Sequence, residues 1–312
     1  MHLLLIGCTG FVGRALVPAL LQRGHVLTVL SRRPNPLPAL TGSEGLTLLQ
    51  GDPAAAATWQ DPALLAALAS ADGVVNLAGE PIAEQRWTPE HRGRLRDSRV
   101  KTTEHLVAAM QALASPPAVL INGSAVGFYG TSEAGRFDET SAAGDDLLGE
   151  LCVAWEAAAD QAPAATRVVK LRTGIVLAAD GGALGKMLPI FRAGFGGPIG
   201  SGRQWMSWIH RDDLVAIVVA ALDDASYSGV YNGVAPAPTT MAQFSAALGR
   251  SLGRPSLLPV PGPILQLLLG DGAQVVLKGQ RVLPERLQQQ GFRFRYPELS
   301  AALAAATSPG SR

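Results

Sequence analysis

Charge is scarce in this sequence. Charged residues make up 16% of the 312 residues, and the formal net charge is +1 at pH 7. Such a balance provides neither the basic footprint that nucleic acid requires nor an acidic interaction tail. We therefore expect small molecules rather than nucleic acid as partners.

Cysteine is equally scarce, with two residues in the chain, Cys8 and Cys152. Two widely separated cysteines give no disulfide framework and no paired metal motif. No His, Cys or Asp spacing resembles a metal site either. We expect two reduced thiols and no bound metal.

Long apolar runs are also missing. The longest, such as Ile264–Leu269, are far too short to span a bilayer, and no basic signal segment precedes the first predicted strand. These features predict a cytoplasmic protein with no membrane partner.

The chain does have a strand, turn and helix at its start. A buried strand, Leu3–Ile6, leads into glycines spaced three apart and then a helix over Phe11–Arg23. Glycines allow a tight turn and a close approach of the backbone to phosphates, while the helix N-terminus offers free N–H groups. The context predicts a dinucleotide site formed by Gly7, Thr9, Gly10, Phe11, Val12 and Gly13.

Strands and helices then alternate along the chain. Strands are predicted at Val26–Ser31, Leu46–Gln50, Gly73–Leu77, Ala118–Asn122 and Arg167–Leu171, with helices at Pro62–Ser70, Pro89–Leu113 and Leu147–Ala159. Apolar strands separated by helices are typical of a parallel sheet covered on both faces. The predicted fold class is α/β, a doubly wound (Rossmann) sheet with ligands at the carboxyl ends of its strands.

The pattern loosens after residue 172. Residues 181–202 are rich in glycine and are predicted to form loops around a site, and helices follow at Asp212–Leu222 and Met241–Leu252, the second capped by Thr239 or Thr240. Prolines from residue 255 onward indicate a linker or an extended lead-in. The predicted organisation is a cofactor-binding domain over 1–250, with a dinucleotide core at about 1–172 and an interleaved substrate lobe. A small C-terminal unit of two or three helices follows at 255–304.

The end of the second strand predicts which cofactor is bound. An acidic residue there usually holds the ribose of NAD, whereas this chain has Ser31, Arg32 and Arg33. Arginine suits a 2′-phosphate, so NADP(H) is predicted. Asp52 has two equally supported roles, bonding the adenine edge or capping a turn. Small residues after the fourth strand would run beside the cofactor ribose: Asn76, Leu77, Ala78 and Gly79.

Several segments resemble the extended short-chain dehydrogenases/reductases, which include nucleotide-sugar epimerases and dehydratases. They are Gly7–Gly13, Asn76–Gly79, Gly123–Gly130, Leu171–Leu177 and Trp208–Leu214. More closely, the chain resembles the atypical "epimerase family", which carries a small C-terminal domain of unknown function. That match runs through Gly79–Thr88, Leu258–Pro261, Leu277–Leu287 and Gly291–Pro297. The resemblance covers nearly the whole chain.

Active extended members carry a Tyr-x-x-x-Lys pair on the helix after the fifth strand, whose tyrosine is the general acid/base. Aligning that helix on Glu156 places Leu148 and Cys152 at the two positions. Two hypotheses follow. One is an NADP(H)-dependent oxidoreductase or nucleotide-sugar-epimerase-like enzyme acting on a small polar substrate. The other is a non-catalytic NADP(H)-binding regulator or sensor, since some members of this family are named cell-division inhibitors.

If the protein is an enzyme, Ser124 and Glu150 are the catalytic candidates. Ser124 lies near the catalytic serine or threonine of the family, and Glu150 could reach the site from the helix. Cys152 is interpreted as a small buried group in preference to a thiol acid. In related dehydrogenases a residue on the helix after the fourth strand approaches the nicotinamide, and Arg99 or Ser98 corresponds to it here.

The substrate candidates come from three segments. Glu80, Arg86 and Trp87 follow the fourth strand, and Tyr129 follows the fifth. Arg203 and Trp205 lie in the glycine-rich region. His210 either binds substrate or is structural, and Asp212 or Asp213 is predicted to cap the following helix. The resemblance further implies a monomer or a homodimer formed through residues 88–113.

Overall fold

A computed structural model describes residues 1–34, 37–40 and 42–308. Its strands are β1 His2–Ile6, β2 Val26–Ser31, β3 Leu46–Gln50, β4 Gly73–Asn76, β5 Val119–Ala125, β6 Arg136–Phe137, β7 Arg167–Thr173, β8 Ile175–Leu177, β9 Trp205–Met206, β10 Trp208–His210, β11 Gly229–Gly233, β12 Thr239–Thr240 and β13 Arg281–Val282.

The helices follow the same chain order. They are α1 Gly13–Gln22, α2 Pro62–Ala69, α3 Pro89–Asp97, α4 Val100–Gln111, α5 Leu147–Ala159, α6 Gly182–Arg192, α7 Arg211–Asp223, α8 Met241–Ser251, α9 Gly262–Leu269, α10 Gln274–Leu277, α11 Glu285–Gln289 and α12 Leu299–Thr307.

A seven-stranded parallel sheet forms the centre of the molecule, in the order β11-β7-β5-β4-β1-β2-β3. Alternate residues of β1 enter opposite layers: Leu3 and Leu5 pack in a cluster with α1 and α7, whereas Leu4 and Ile6 pack in one with α2 and α4. This two-sided burial explains the unbroken apolar strands. The predicted doubly wound fold is confirmed. The chain runs from β1 to β2 and β3 on one side of β1 and then crosses to β4 on the other, so ligands are expected at the carboxyl end of β1.

The helix predicted over Pro89–Leu113 is wrong as a single element, because it breaks into α3 and α4 at Ser98 and Arg99. Ser98 Oγ accepts a hydrogen bond from the Glu80 N–H at 3.0 Å, and Arg99 Nη2 donates to the Glu80 carbonyl at 2.9 Å. Both side chains therefore hold the loop that follows β4, which is a tertiary contact that helical periodicity does not reveal.

Part of the segment predicted as loops, residues 181–202, is the helix α6. Its buried side chains, Leu184, Leu188 and Phe191, recur at helical spacing and pack in a cluster with α8 and α12. Glycine lowers helix propensity, and here the apolar stripe outweighs that cost. Residues 193–204 form no regular element.

The C-terminal residues pack against the rest of the chain at two places. Strand β13 pairs with β6, and α12 joins α8 in one apolar cluster. The described part of this region holds four helices, α9 to α12, where the sequence predicts two or three. The division into two units at about residue 255 stays a prediction.

No helix within the described ranges combines the length and the apolar character that a membrane crossing needs.

Candidate functional site

The turn after β1 is built on close backbone contacts. Gly7 has φ +72°, and a Cβ there would lie 2.3 Å from the Ala78 nitrogen. At Gly13 a Cβ would lie 2.0 Å from the Cys8 carbonyl oxygen, so α1 rests directly on the turn. At Gly10 the same atom would meet only the Gly7 carbonyl oxygen, at 3.8 Å. Two glycines thus serve packing, and the third leaves the surface of the turn open.

Free N–H groups point from this turn. No side chain caps α1, and among the described residues the N–H groups of Gly10, Phe11, Val12 and Gly13 have no hydrogen-bond acceptor. Unpaired N–H groups at a helix N-terminus bind phosphate oxygens well. The turn therefore fits the pyrophosphate of a dinucleotide.

The end of β2 carries the predicted cofactor-selecting residues. Ser31 Oγ accepts a hydrogen bond from the Arg33 N–H at 3.0 Å, and Arg32, largely exposed, lies 3.6 Å from a Glu80 carboxylate oxygen. Asp52 accepts a hydrogen bond from the Ala54 N–H at 3.1 Å, so it caps a turn, which is one of its two predicted roles.

Asn76, at the end of β4, is fully buried. Its amide donates to Thr103 Oγ1 at 3.0 Å and to Asn122 Oδ1 at 2.8 Å, and its oxygen accepts from the Ala78 N–H at 3.2 Å. These bonds fix the backbone that follows β4. That backbone lies against the glycine turn, since the atoms nearest to a Cβ at Gly7 belong to Leu77 and Ala78.

Arg99 continues this line of contacts. A Cβ at Gly79 would lie 3.0 Å from the Arg99 guanidinium carbon, which sits 5.3 Å from the centre of the Trp155 ring. The guanidinium donates to the carbonyls of Leu95, at 3.1 Å, and Glu80, at 2.9 Å. Burial lowers the pKa of Arg99 from its usual value.

A cavity of about 170 Å³ adjoins Arg99 at the carboxyl ends of β5 and β7; we call it the inner cavity. Its floor and sides include Arg99, Ala125, Leu148, Leu151, Cys152, Thr173 and Trp205. This places it at the sheet edge where doubly wound folds bind ligands.

Residues 274–280 roof the inner cavity. Gln280 Nε2 donates to the Val126 carbonyl at 2.7 Å, and Ser207 Oγ donates to the Gln280 carbonyl at 2.8 Å. A Cβ at Gly279 would lie 2.0 Å from the Trp205 carbonyl oxygen, so only glycine allows this approach. The C-terminal region thus closes the site. The sequence does not predict this roof. The one feature that could have indicated a close backbone contact here is the glycine in the Lys-Gly-Gln segment at 278–280.

The two positions that hold tyrosine and lysine in active relatives both face the inner cavity. Leu148 presents an apolar side chain there. Cys152 is buried, its Sγ lies 3.8 Å from the Ala125 carbonyl oxygen, and desolvation raises the pKa of its thiol to about 11. Cys152 therefore keeps its proton at neutral pH.

Behind Cys152 lies a buried polar network made of Ser124, Tyr129, Glu156, Arg172 and Asn232. Ser124 Oγ donates to Glu156 Oε1 at 2.7 Å, and Arg172 donates to both Glu156 oxygens, at 2.7 and 2.8 Å. Arg172 also donates to the Tyr129 hydroxyl at 3.0 Å, which in turn donates to Asn232 at 2.7 Å. Burial raises the pKa of Tyr129 to about 12. The sequence predicts Ser124 as a catalytic residue and Tyr129 as a substrate contact, but it does not predict this network, which joins residues far apart in the chain.

The two catalytic candidates are therefore placed differently. Ser124 is buried one residue before Ala125, which lines the inner cavity, whereas Glu150 is exposed and lines an outer groove with Arg92 and Arg96. The structure does not bring Glu150 to the inner cavity.

Of the substrate candidates, only Trp205 lines the inner cavity; its indole N–H donates to the Glu133 carbonyl at 2.8 Å. Arg203 is exposed and lies 3.5 Å from Glu133. Tyr129 belongs to the buried polar network, so its hydroxyl is already engaged.

Arg86 and Trp87 contact the C-terminal region instead of the inner cavity. Arg86 donates to the carbonyls of Leu267 and Leu268, and buried Trp87 donates to the Ile82 carbonyl at 2.8 Å. Glu80 holds Arg32 with its carboxylate and Arg99 with its carbonyl. These residues shape the loop after β4.

His210, and not an aspartate, caps α7: its Nδ1 accepts from the Asp212 N–H at 3.2 Å. The ring packs 4.1 Å from the Tyr296 ring, and burial lowers its pKa. Asp213 instead accepts from the N–H groups of Arg295, at 2.7 Å, and Tyr296, at 2.9 Å. The structure therefore gives His210 a structural position, away from the lining of the inner cavity.

Both cysteines are free and buried, as predicted. Burial raises the pKa of Cys8 to about 12. Within the part of the chain that the structure covers, no group of His, Cys, Asp and Glu side chains could hold a metal ion.

Comparisons with known proteins agree with this geometry. The model of the NAD dependent epimerase/dehydratase family matches residues 3–232, and that of a domain of unknown function, DUF1731, matches residues 260–306. The chain is 42% identical over 304 residues to the chloroplastic SDR39U1 homolog of Arabidopsis thaliana, covering 96% of this chain and 84% of that protein. It is 39% identical to human epimerase family protein SDR39U1, over 97% of this chain and 98% of that one.

A solved structure matches as well. The crystal structure of human SDR39U1 (isoform 2) with NADPH superposes with a TM-score of 0.87 at 38% identity, over 98% of this chain and 99% of that one. A nicotinamide cofactor in the turn after β1 fits both the family and this neighbour. The chain belongs to the NAD dependent epimerase/dehydratase family, as its sequence motifs indicate.

Proposed function

We propose that the protein binds NADP(H) and exchanges a hydride with a small polar substrate held in the inner cavity. One observation carries the proposal: continuous contacts link the cofactor turn to the cavity. Gly7 packs on Ala78, Gly79 packs on Arg99, and Arg99 lines the cavity. A cofactor on the turn and a substrate in the cavity would share the carboxyl edge of one sheet.

The preference for NADP(H) rests on Ser31, Arg32 and Arg33. Two guanidiniums and a hydroxyl at the end of β2 suit a 2′-phosphate, which Arg binds with paired hydrogen bonds. The NADPH in the human relative supports this choice.

A bound nicotinamide would supply the hydride chemistry. In carbonyl reduction the carbon gains a hydride and the oxygen gains a proton; alcohol oxidation reverses both transfers. Cys152 Sγ holds a proton at the cavity wall, because burial keeps its pKa high. Ser124 donates a hydrogen bond to Glu156 directly behind Cys152, so in this proposal it positions the cavity wall without touching the substrate.

A non-catalytic NADP(H)-binding regulator is the second candidate. Leu148 carries no ionisable group, and Cys152 does not titrate near neutral pH. Enzymes that rely on general acid/base catalysis usually tune a group close to the operating pH. This candidate shares the cofactor site and differs in having no turnover.

Binding and turnover separate the two candidates. Calorimetry with NADPH and NADH on nucleotide-free protein tests the cofactor, with tight NADPH and weak NADH expected. A screen of small carbonyl and hydroxyl compounds, followed by NADPH absorbance with Ser124→Ala as the comparison, tests turnover. NADPH binding without turnover would favour the regulator, and binding of neither nucleotide would reject both candidates.

A further inference from the structure

We infer that the inner cavity is selective for a small carboxylate with an apolar body, and not for a nucleoside diphosphate sugar. This inference rests on the proposed function for its cofactor and names the substrate class of the same site. Size, lining and charge each support it.

The size of the inner cavity sets the first limit. Its volume is about 170 Å³. An engineered apolar cavity of about 150 Å³ holds benzene, whereas pockets for larger ligands span roughly 300 to 1,000 Å³. The inner cavity therefore suits a molecule with a single ring or a short chain and is too small for a nucleoside diphosphate sugar.

The roof keeps the cavity small. Gln280 and Gly279 are fixed by the bonds to Val126 and Ser207 and by the close approach to Trp205. A substrate that extends outward would have to lift this segment from the sheet. The lining is largely apolar, with Leu148 and Leu151 beneath the roof and Val275 in the roof itself.

Arg99 provides the charge. Its two hydrogen bonds within 3.2 Å go to neutral carbonyls, and no ion pair among the described residues includes it. The Glu80 carboxylate lies 3.6 Å from Arg32; it also attracts the Arg99 guanidinium electrostatically, but it forms no hydrogen bond with it. A guanidinium has five N–H donors, so several remain for a ligand. A carboxylate offers the matching planar pair of acceptors.

The other charges near the cavity leave it positive. Asp146 accepts from the N–H groups of Leu148 and Gly149 at the start of α5, which offsets its charge. Lys278 lies at the roof and adds a second cation.

A second groove, different from the one that Glu150 lines, adjoins the inner cavity and does not provide a diphosphate site either. It has a volume of about 490 Å³ and shares Gln274 and Lys278 with the inner cavity. Its arginine, Arg92, is already paired with Asp271 at 2.6 Å. Among the described residues that line this groove, a diphosphate would meet Lys278 as the cation without an ion pair, beside the acidic Asp271.

The test compares benzoate with benzamide, which has nearly the same shape and no charge, by calorimetry on NADPH-saturated protein. Benzoate is expected to bind at least tenfold more tightly than benzamide, and UDP-glucose is expected not to compete with it. Arg99→Met should abolish the preference for benzoate. Arg96→Met, an identical change at an exposed arginine of α3, should keep it.

Equal binding of the two probes, or displacement of benzoate by UDP-glucose, would overturn the inference. The comparison of two ligands on the unaltered protein stays decisive even where Arg99→Met fails to fold. If NADPH does not bind, the proposed function fails, and the same titration on the free protein still tests the cavity.

Discussion

Ser124 Oγ donates a hydrogen bond to Glu156 Oε1 at 2.7 Å, and this bond ties the end of β5 to α5. The same carboxylate receives two hydrogen bonds from Arg172 on β7. One buried carboxylate therefore joins three elements directly behind the inner cavity. The serine that the family motif marks as catalytic is held in place by an ion pair.

Loss of this carboxylate should destabilise the fold strongly. Glu156→Gln leaves the buried Arg172 guanidinium without a counter-charge, and breaking a buried pair costs roughly 3–5 kcal/mol. Ser124→Ala removes one bond to a charged group and should cost roughly 1.5–3 kcal/mol. Urea unfolding measures both. Asp97→Asn, which removes the carboxylate of the exposed Lys101 pair, should change stability by less than about 1 kcal/mol. Equal losses at Glu156 and Asp97 would contradict the prediction.

Arg32→Asp should weaken NADPH binding by at least tenfold and leave NADH binding within a few-fold, because only NADPH carries the 2′-phosphate. Calorimetry with both nucleotides measures the ratio. Arg250→Asp makes the same change of charge at an exposed position on α8 and controls for the net charge. An unchanged NADPH dissociation constant in Arg32→Asp would refute the assignment.

Gly10→Ala should separate binding from folding. Its Cβ would meet no atom closer than 3.8 Å, so the melting temperature should stay within about 2 °C. The methyl group would occupy the surface that the pyrophosphate approaches, so NADPH affinity should fall at least tenfold. Gly13→Ala should instead unfold the turn, because its Cβ would lie 2.0 Å from the Cys8 carbonyl oxygen.

Gly93→Ala is the matched control for these two variants. It lies inside α3 with nothing within 4 Å of its Cβ, and should raise stability by about 0.5–1 kcal/mol. Thermal unfolding and NADPH titration of all three variants make the comparison. Retained cofactor binding in Gly10→Ala would contradict the assigned role of the turn.

Stability should fall as the pH rises above about 9. Burial raises the pKa of Cys8 to about 12 and of Cys152 to about 11, from an ordinary value of 9.0. Between those values the unfolded chain loses protons that the folded chain retains, so the free energy of unfolding falls by up to about 1.4 kcal/mol per pH unit per thiol. Urea unfolding from pH 7 to 10.5 measures the slope. Cys152→Ala should make it shallower, and an unchanged slope would count against a buried, protonated thiol.

The features that local sequence encodes were predicted well. Strand β1 follows from a short unbroken apolar run, and β2 and β3 follow from apolar runs that a threonine interrupts. The glycine turn follows from spacing that must fit between a strand and a helix. The sequence predicts two roles for Asp52, and the structure shows that it caps a turn. Cofactor preference and substrate class involve molecules that the fold alone does not specify.

The errors arise where distant contacts decide the local structure. The break between α3 and α4 depends on contacts with Glu80. The cap of α7 is His210, whereas the sequence predicts one of the two aspartates that follow it. The roof of the inner cavity comes from residues about 130 positions after Cys152 along the chain, and nothing in the periodicity of residues 274–280 indicates that approach.

The pair formed by Arg32 and Glu80 spans the glycine turn, because β1 lies between β2 and β4 in the sheet. The arginine that we assign to the 2′-phosphate thus already has an internal anion beside it. A 2′-phosphate would meet a guanidinium that already has one anion near it, so the net gain in binding is smaller than for an unpaired arginine. The carboxylate of Glu80 then acts as a built-in competitor, and its removal should tighten NADPH more than NADH.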